Sequence, residues 1–247
     1  MAKSAGLSQQ FFYAGYDLSG DVGSIESAEA IKGTLDVTGI NVASVERIPG
    51  RSAGRLSYTH YFNDAAKQAH VAISSLPTTD VGVLWSIGAA IGSQGFALVG
   101  KQASHSQTKG TDGSLIGTVT VESASNSLED VVMLTAGMRT DTSATNGSSH
   151  DGGAATSNGL VGHLHFVDIT GSNCTITVQE SSDNGSSDAF AAIIAFTQVT
   201  ADSKFERKTA TGSIERYLRV ISAGTFSSGK FAVAVRRGTA EDTDAIS

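Results

Sequence analysis

The residues best placed to do chemistry are His163 and His165, two apart in the run LVGHLHFV, so that on a strand their imidazoles share one face. A metal site can use such a pair, but it needs further ligands, and no spacing in the chain marks them. The pair is therefore read as two polar positions on a solvated or subunit-facing sheet face. Asp183, Asn184, Gly185 and Asp188 gather oxygen ligands in the manner of a calcium loop. They lack the spacing and the terminal Glu of an EF-hand, which makes a hairpin turn the better reading. Arg47, Arg51 and Arg55, spaced by four, suggest an anion cradle. Pro49-Gly50 and Ala53-Gly54 between them break any helix, leaving solvated or intersubunit salt-bridging arginines. Asn146, Asn173 and Asn184 each open an N-x-S/T triplet, as chance allows in a chain this rich in Ser and Thr. There is no G-x-S-x-G elbow, P-loop, H-E-x-x-H, cysteine pair or strand-borne G-x-G-x-x-G. No residue is assigned a catalytic, cofactor-binding or metal role, and enzymatic activity is not expected.

The elements that would carry these residues are mostly strands. Leu56, Tyr58, His60 and Phe62 alternate with Ser57, Thr59 and Tyr61, a period-2 strand feeding a helix over 64–76. Asn63 or Asp64 caps that helix, Pro77 stops it, and Ala66, Ala69, Ile73 and Leu76 give it an apolar stripe for a sheet. Before it, 11–18 reads as a strand, 24–33 is ambiguous, and 34–38 and 42–48 are strands or extended arms; Pro49 to Gly54 turns the chain. After it, strands fall at 81–87, 95–101, 115–122 and 131–134, and Asp112-Gly113 tips a protruding hairpin over 102–114. Residues 139–158 contain no large apolar side chain and read as a flexible linker. Strands then recur at 160–167, 174–179, 190–199, 204–209, 217–222 and 230–235, with turns at 181–188 and 223–230.

The expected fold is thus all-β and mainly antiparallel. A β-sandwich or barrel with one flanking helix (1–138) is followed by the linker (139–158), a C-terminal β-sandwich (159–237) and an acidic tail (238–247). Composition agrees: 28 Gly, only 2 Pro, and many Ser, Thr and β-branched residues favour short strands and tight turns. The single cysteine, Cys174, permits no intrachain disulfide and reads as core. The net charge of −7, with no basic block, argues against a protein that grips phosphates. The aromatic residues (6%) sit in apolar strand contexts, which weakens a sugar-binding platform. The opening MAKSAGLSQQ lacks the apolar core of a signal peptide, and no window approaches a membrane span.

Several segments resemble the major tail (tail tube) proteins of long-tailed phages, particularly those of actinobacteria. They are MAKSAGL with FFYAGYDLSGDV, LDVTGI with ERIPGRSAGRLSYTHYFN, NDAAKQAHVAISSLPTTD, ALVGKQASHSQTKGTDGSL and LTAGMRTDT. In the second half, TITVQESSDNGS and ERYLRVISAGTFSSGKFAVAVRR are similar to the β-domain added to such virion proteins. The resemblance implies a virion protein assembled in host cytoplasm, whose hexameric rings stack into a tube around an acidic lumen that conducts DNA without binding it. Tape measure, tail terminator and distal tail proteins would be its partners, with the N-terminal segment, 39–55 and 102–114 reaching a neighbouring ring. A capsid decoration protein, or a virion protein binding host glycans through its C-terminal sandwich, is the alternative.

Overall fold

The computed structural model describes residues 8–239, so MAKSAGL and residues 240–247 of the expected acidic tail lie outside the described residues. The first half carries β1 (Gln10–Tyr13), β2 (Tyr16–Asp17), β3 (Val22–Asp36), β4 (Arg47–Tyr61), α1 (Ala69–Ile73), β5 (Val81–Ser86), β6 (Gln94–Lys109), β7 (Leu115–Ser123) and β8 (Glu129–Met133). The second carries β9 (Arg139–Asp141), β10 (Thr145–Asp151), β11 (Leu160–Ser181), β12 (Ala191–Ala195), β13 (Lys204–Ala210) and β14 (Tyr217–Arg237). All strand pairs are antiparallel, and hydrogen bonding connects them along the order β12-β11-β14-β8-β6-β5-β1-β2.

The spine is the pairing of β11 with β14, continuous in register from Leu160–Arg237 to Ser181–Tyr217. A straight ladder of that length would run roughly 70 Å. Instead bulges near 166–173 bend it, and Gly171 (φ 143) and Gly224 (φ 131) take the backbone through the corner. The strand pair folds onto itself: a Cβ on Gly162 would lie 3.2 Å from Ile194, whose own partner in register is Val178 at the other end of β11. Residues 168–173 and 223–230, expected between strands, are thus the bent middles of two long strands.

Alternation along these strands buries both of their faces. Leu160, Leu164, Phe166, Phe231, Val233 and Val235 enter one apolar cluster with Cys174, Ile176, Val178, Leu218 and Val220. Their neighbours Val167, Ala232 and Ala234 enter a second cluster with Phe12, Leu84, Ala97, Val131 and Met133. On β1, β5 and β6 the flanking residues Phe11, Tyr13, Val81, Val83 and Leu98 face a third, roofed by Leu56, Tyr58, Val119, Val121 and α1. Three cores therefore alternate with β-layers, and the middle one draws on residues from both sides of position 138.

Three expectations are corrected. The helix over 64–76 is only α1, five residues, with Lys67 (φ 65) and Leu76 (φ 44) in left-handed backbone at either side. Its stripe is half realised: Ala69 and Ile73 are buried, whereas Ala66 and Leu76 are exposed. The cause is tethering by side chains. Asp21 accepts the Ala69 N–H, and Lys67 reaches Asp168 and Asp202, which holds 63–68 out of helical dihedrals. The turn expected at Pro49–Gly54 lies inside β4, where residues 50–51 form a bulge opposite Gly33; the chain reverses between Asp36 and Arg47 instead.

The linker expected at 139–158 carries β9 and β10, both paired to β14. Polar bonds replace the missing apolar ones. Arg139 forks onto Asp141 at 2.8 and 2.7 Å and donates to the Val220 carbonyl, and Ser222 Oγ donates to Asp141 at 2.5 Å. One close approach tests the layering. Gly15 (φ 83) packs so tightly on β13 that a Cβ would lie 2.3 Å from the Lys204 nitrogen. Gly15→Ala should destabilise the protein by about 2–3 kcal/mol through clash and forced positive φ. Gly20→Ala, with nothing within 4 Å, should stay within about 0.5 kcal/mol in the same urea titration.

Candidate functional site

Both histidines sit on the face of β11 opposite Leu164 and Phe166, as their spacing requires, but that face is not solvated: His163 is 2% exposed and His165 1%. Water is excluded because β8 pairs with β14 and carries β6, β5 and β1 back over it. The tight fit appears at Gly82 of β5, where a Cβ would lie 2.4 Å from the Phe205 ring on β13. The pair is an internal feature between the two halves of the chain.

Each histidine has its own environment. His163 Nε2 donates to Glu129 Oε2 at 2.6 Å. Arg207, in register beside His163, grips the same carboxylate from Nε at 3.2 Å and Nη2 at 2.8 Å, and Arg236 Nη1 lies 3.9 Å away. Burial on its own pushes the Glu129 carboxyl up, but the hydrogen bonds and charges of His163 and Arg207 outweigh it and hold the group at about 2. His165 instead packs among rings, 5.9 Å from Phe12 and 6.3 Å from Phe205 between centroids, and its Nδ1 accepts the Gly15 N–H at 3.4 Å. Burial, then the neighbouring His163, lowers its imidazole to about 3, so it stays neutral. Glu129 carries no sequence signal of this role: it stands two residues before an apolar strand run, and only the fold brings it to His163.

The remaining candidates are placed separately. Asp183 accepts the N–H groups of Ser186, Ser187 and Asp188, so its oxygens are spent closing the 181–188 turn. Arg55 pairs with Glu122 across β4 and β7 at 3.5 Å with both side chains about half exposed, a pair worth little. Cys174 is fully buried, and burial followed by Asp141 pushes its thiol up to about 11, so it is a core residue. Trp85 stacks on Phe96 at 5.3 Å and donates to Gln9. A groove of about 410 Å³ on the second half is lined by Thr197, Gln198, Lys204 and Glu206. Its one lining ring, Phe205, also packs against Gly82 and His165, and Glu206 is engaged by Thr197. Among the described residues no group of three or more His, Cys, Asp or Glu could hold a metal ion. No helix among them is long and apolar enough to cross a membrane.

What the surface does present is an arm. Between Ala30 and Gly54, β3 and β4 leave the body as a two-stranded hairpin whose strands pair only with each other. On it Ile31, Leu35, Val37, Ile40, Val42, Val45 and Ile48 are all exposed, Ile40 completely. β6 and β7 extend as a second hairpin whose turn, 110–114, is closed by Asp112 accepting from Ser114.

The buried network sets the pH response. Glu129→Ala should cost about 3–5 kcal/mol in urea unfolding, because it strands buried cations. Both depressed groups bind fewer protons folded than unfolded, so stability is full above their ordinary values and falls with acid. His165 acts from about pH 6.5 downward and Glu129 from about pH 4.5, each with a slope of up to about 1.4 kcal/mol per pH unit. His165→Gln should flatten the slope between pH 6.5 and 4.5 while leaving the lower limb in place.

No protein-family model and no curated protein matches the chain. Among solved structures it is similar to the Dit protein of SPP1, described as a paradigm of the hub adsorption apparatus in phages infecting Gram-positive hosts. That match has 12% identity and a TM-score of 0.33, and covers 94% of this chain and 99% of that one. It is likewise similar to chains of the activated phage p2 baseplate. With strontium the identity is 7%, the TM-score 0.32 and the coverage 93% and 98%; with calcium they are 8%, 0.33, 94% and 99%.

Proposed function

We propose that the chain is a structural subunit of the tail of a long-tailed phage, assembling with copies of itself into hexameric rings that stack as a tail tube. The observation carrying this reading is the β3–β4 arm. Seven aliphatic side chains exposed on a hairpin, with strand edges left unpaired, are an interface waiting for a partner. In a tail built of many copies the partner in greatest supply is the same chain, and a head-to-tail contact between arm and body closes into rings. The segments resembling major tail proteins include both flanks of this arm, LDVTGI and ERIPGRSAGRLSYTHYFN.

In this reading the acidic balance lines a lumen that DNA traverses without being held. The tape measure, tail terminator and distal tail proteins are the neighbours, and the tail of the virion, assembled in host cytoplasm, is the location. Negative-stain microscopy of the purified chain over a concentration series should show rings or hollow tubes. Leu35→Asp with Val45→Asp should abolish them and leave the melting midpoint within about 2 °C, since both residues are exposed. Labelling of intact particles separates the finer alternatives. Signal along the tail supports the tube, signal at its tip a baseplate hub, and signal on the head a decoration protein.

A further inference from the structure

Three further histidines meet where the segment 62–76 lies across the sheet. His60 on β4 stands opposite Gly117 on β7, which stands opposite Gln107; His105 on β6 stands opposite Val119, itself opposite Tyr58. Residues paired across a sheet share a face, so His60 and His105 rise together on either side of a residue with no side chain. Gly117 is obligatory there, since a Cβ would lie 2.2 Å from His60 Nε2. The two rings are 5.5 Å apart. His70, in α1, is the roof, with its ring 4.7 Å from Phe62.

The nitrogens of this cluster are underused. His60 Nδ1 donates to the Tyr61 carbonyl at 3.0 Å, which leaves Nε2 as a bare acceptor. His60 Nε2, His105 Nε2, His70 Nδ1 and Tyr58 Oη are all buried without a hydrogen-bond partner. Buried polar atoms are rarely left this way. The neighbouring polar side chains bond elsewhere and none reaches these nitrogens. Asp21, from the β2–β3 turn, spends its two oxygens on Asn63 Nδ2 at 2.8 Å and the Ala69 N–H at 2.9 Å. Lys67, on the segment itself, turns to Asp168 at 2.5 Å and Asp202 at 2.8 Å in the other half. Tyr13, from β1, donates to Gln102, and Gln102 in turn donates to the Ile73 carbonyl. The charges that act on His105 are those of His60 and His70.

We propose that the cluster of His60, His70 and His105 is a proton-operated latch, which holds the strap 62–76 on the β4–β7–β6 sheet while His105 is neutral and releases it when His105 charges. A proton on His105 puts a cation beside the His60 ring, 5.5 Å away, in a site where His60 Nε2, His70 Nδ1 and His105 Nε2 have no hydrogen-bond partner, so charging it works against the seated strap. Burial, then His60 and His70, already hold His105 below the ordinary imidazole range. A group depressed on folding gives stability that is complete above its ordinary value and lost as the pH falls below it, so the latch opens on the acid side of about pH 6.5. Opening uncovers Ala69, Ala72 and Ile73 and also withdraws Lys67 from Asp168 and Asp202, loosening a tie between the halves.

Hydrogen exchange with mass spectrometry on the full chain at pH 7.5 and 5.5, corrected for intrinsic rates, tests this. Amides of the strap should lose protection by about ten-fold or more. In a His70→Gln, His105→Gln double variant the strap's response should shrink to less than about two-fold, while the response of 160–181, which follows His165, persists. Strap protection unchanged by acid, or an equal loss in the double variant, overturns the proposal. Should that variant fail to fold, imidazole resonances of the unaltered chain decide. Titration of His105 must coincide in pH with the strap's loss of protection, and a separation of the two refutes the latch.

Discussion

Everything in this molecule depends on the burial of both faces of the first half of β11 and the second half of β14. A strand with one wet face alternates polar and apolar residues, and its polar set needs no partners. Here Leu160 to Val167 is buried at every position, so each polar side chain on it must find a bond inside the protein. His163 finds Glu129 and His165 finds the Gly15 amide. The layers on either side are placed by that requirement as much as by apolar contact. Small residues let them come close: Gly15, Gly82, Ala232 and Ala234 occupy the side where a larger residue would push the halves apart.

The charges follow the same geometry. Glu129 is a carboxylate that burial alone would neutralise, kept ionised by cations from β13 and β14. Such an arrangement is a poor source of net stability but a strong specifier of pairing, since any shift in register leaves a buried ion alone. A register fixed in this way ties β8 to β13, strands separated by most of the second half of the sequence.

Much of the fold was legible in the sequence because strands announce themselves locally. The period-2 run at Leu56–Phe62 matches β4 up to Tyr61, those at Leu115–Glu122 and Phe231–Val235 fall within β7 and β14, and the mainly antiparallel class followed from them. What was illegible was non-local. Nothing in RTDTSATNGSSHD signals a strand, because β9 and β10 are held by Arg139, Asp141 and Ser222 rather than by apolar burial. The strap lost its expected helix to Asp21 and Lys67, whose partners are distant in sequence. The shared face of His163 and His165 was readable from their spacing, but its burial was not, since the residues that cover it come from β1, β5 and β8. Of the arm, 34–38 and 42–48 read as strands or extended chain, whereas 24–33 is ambiguous in the sequence, the turn expected at Pro49–Gly54 lies inside β4, and the pairing as one hairpin needs the structure.

β14 sits inside the strand order but follows every strand it joins in the sequence, and this bears on how the protein is made. β8 has its second neighbour, and β11 its longest, only in residues 217–237. During synthesis the first half can lay down its own hairpins, but Glu129 and the His163 face stay without their full enclosure until that strand emerges from the ribosome. The nascent chain therefore carries a half-built interior over about 84 residues of elongation, the interval from Met133 to Tyr217. Pairings this distant in sequence form slowly and leave edges open to neighbouring chains. The slow step in closing this interior is therefore the arrival of β14.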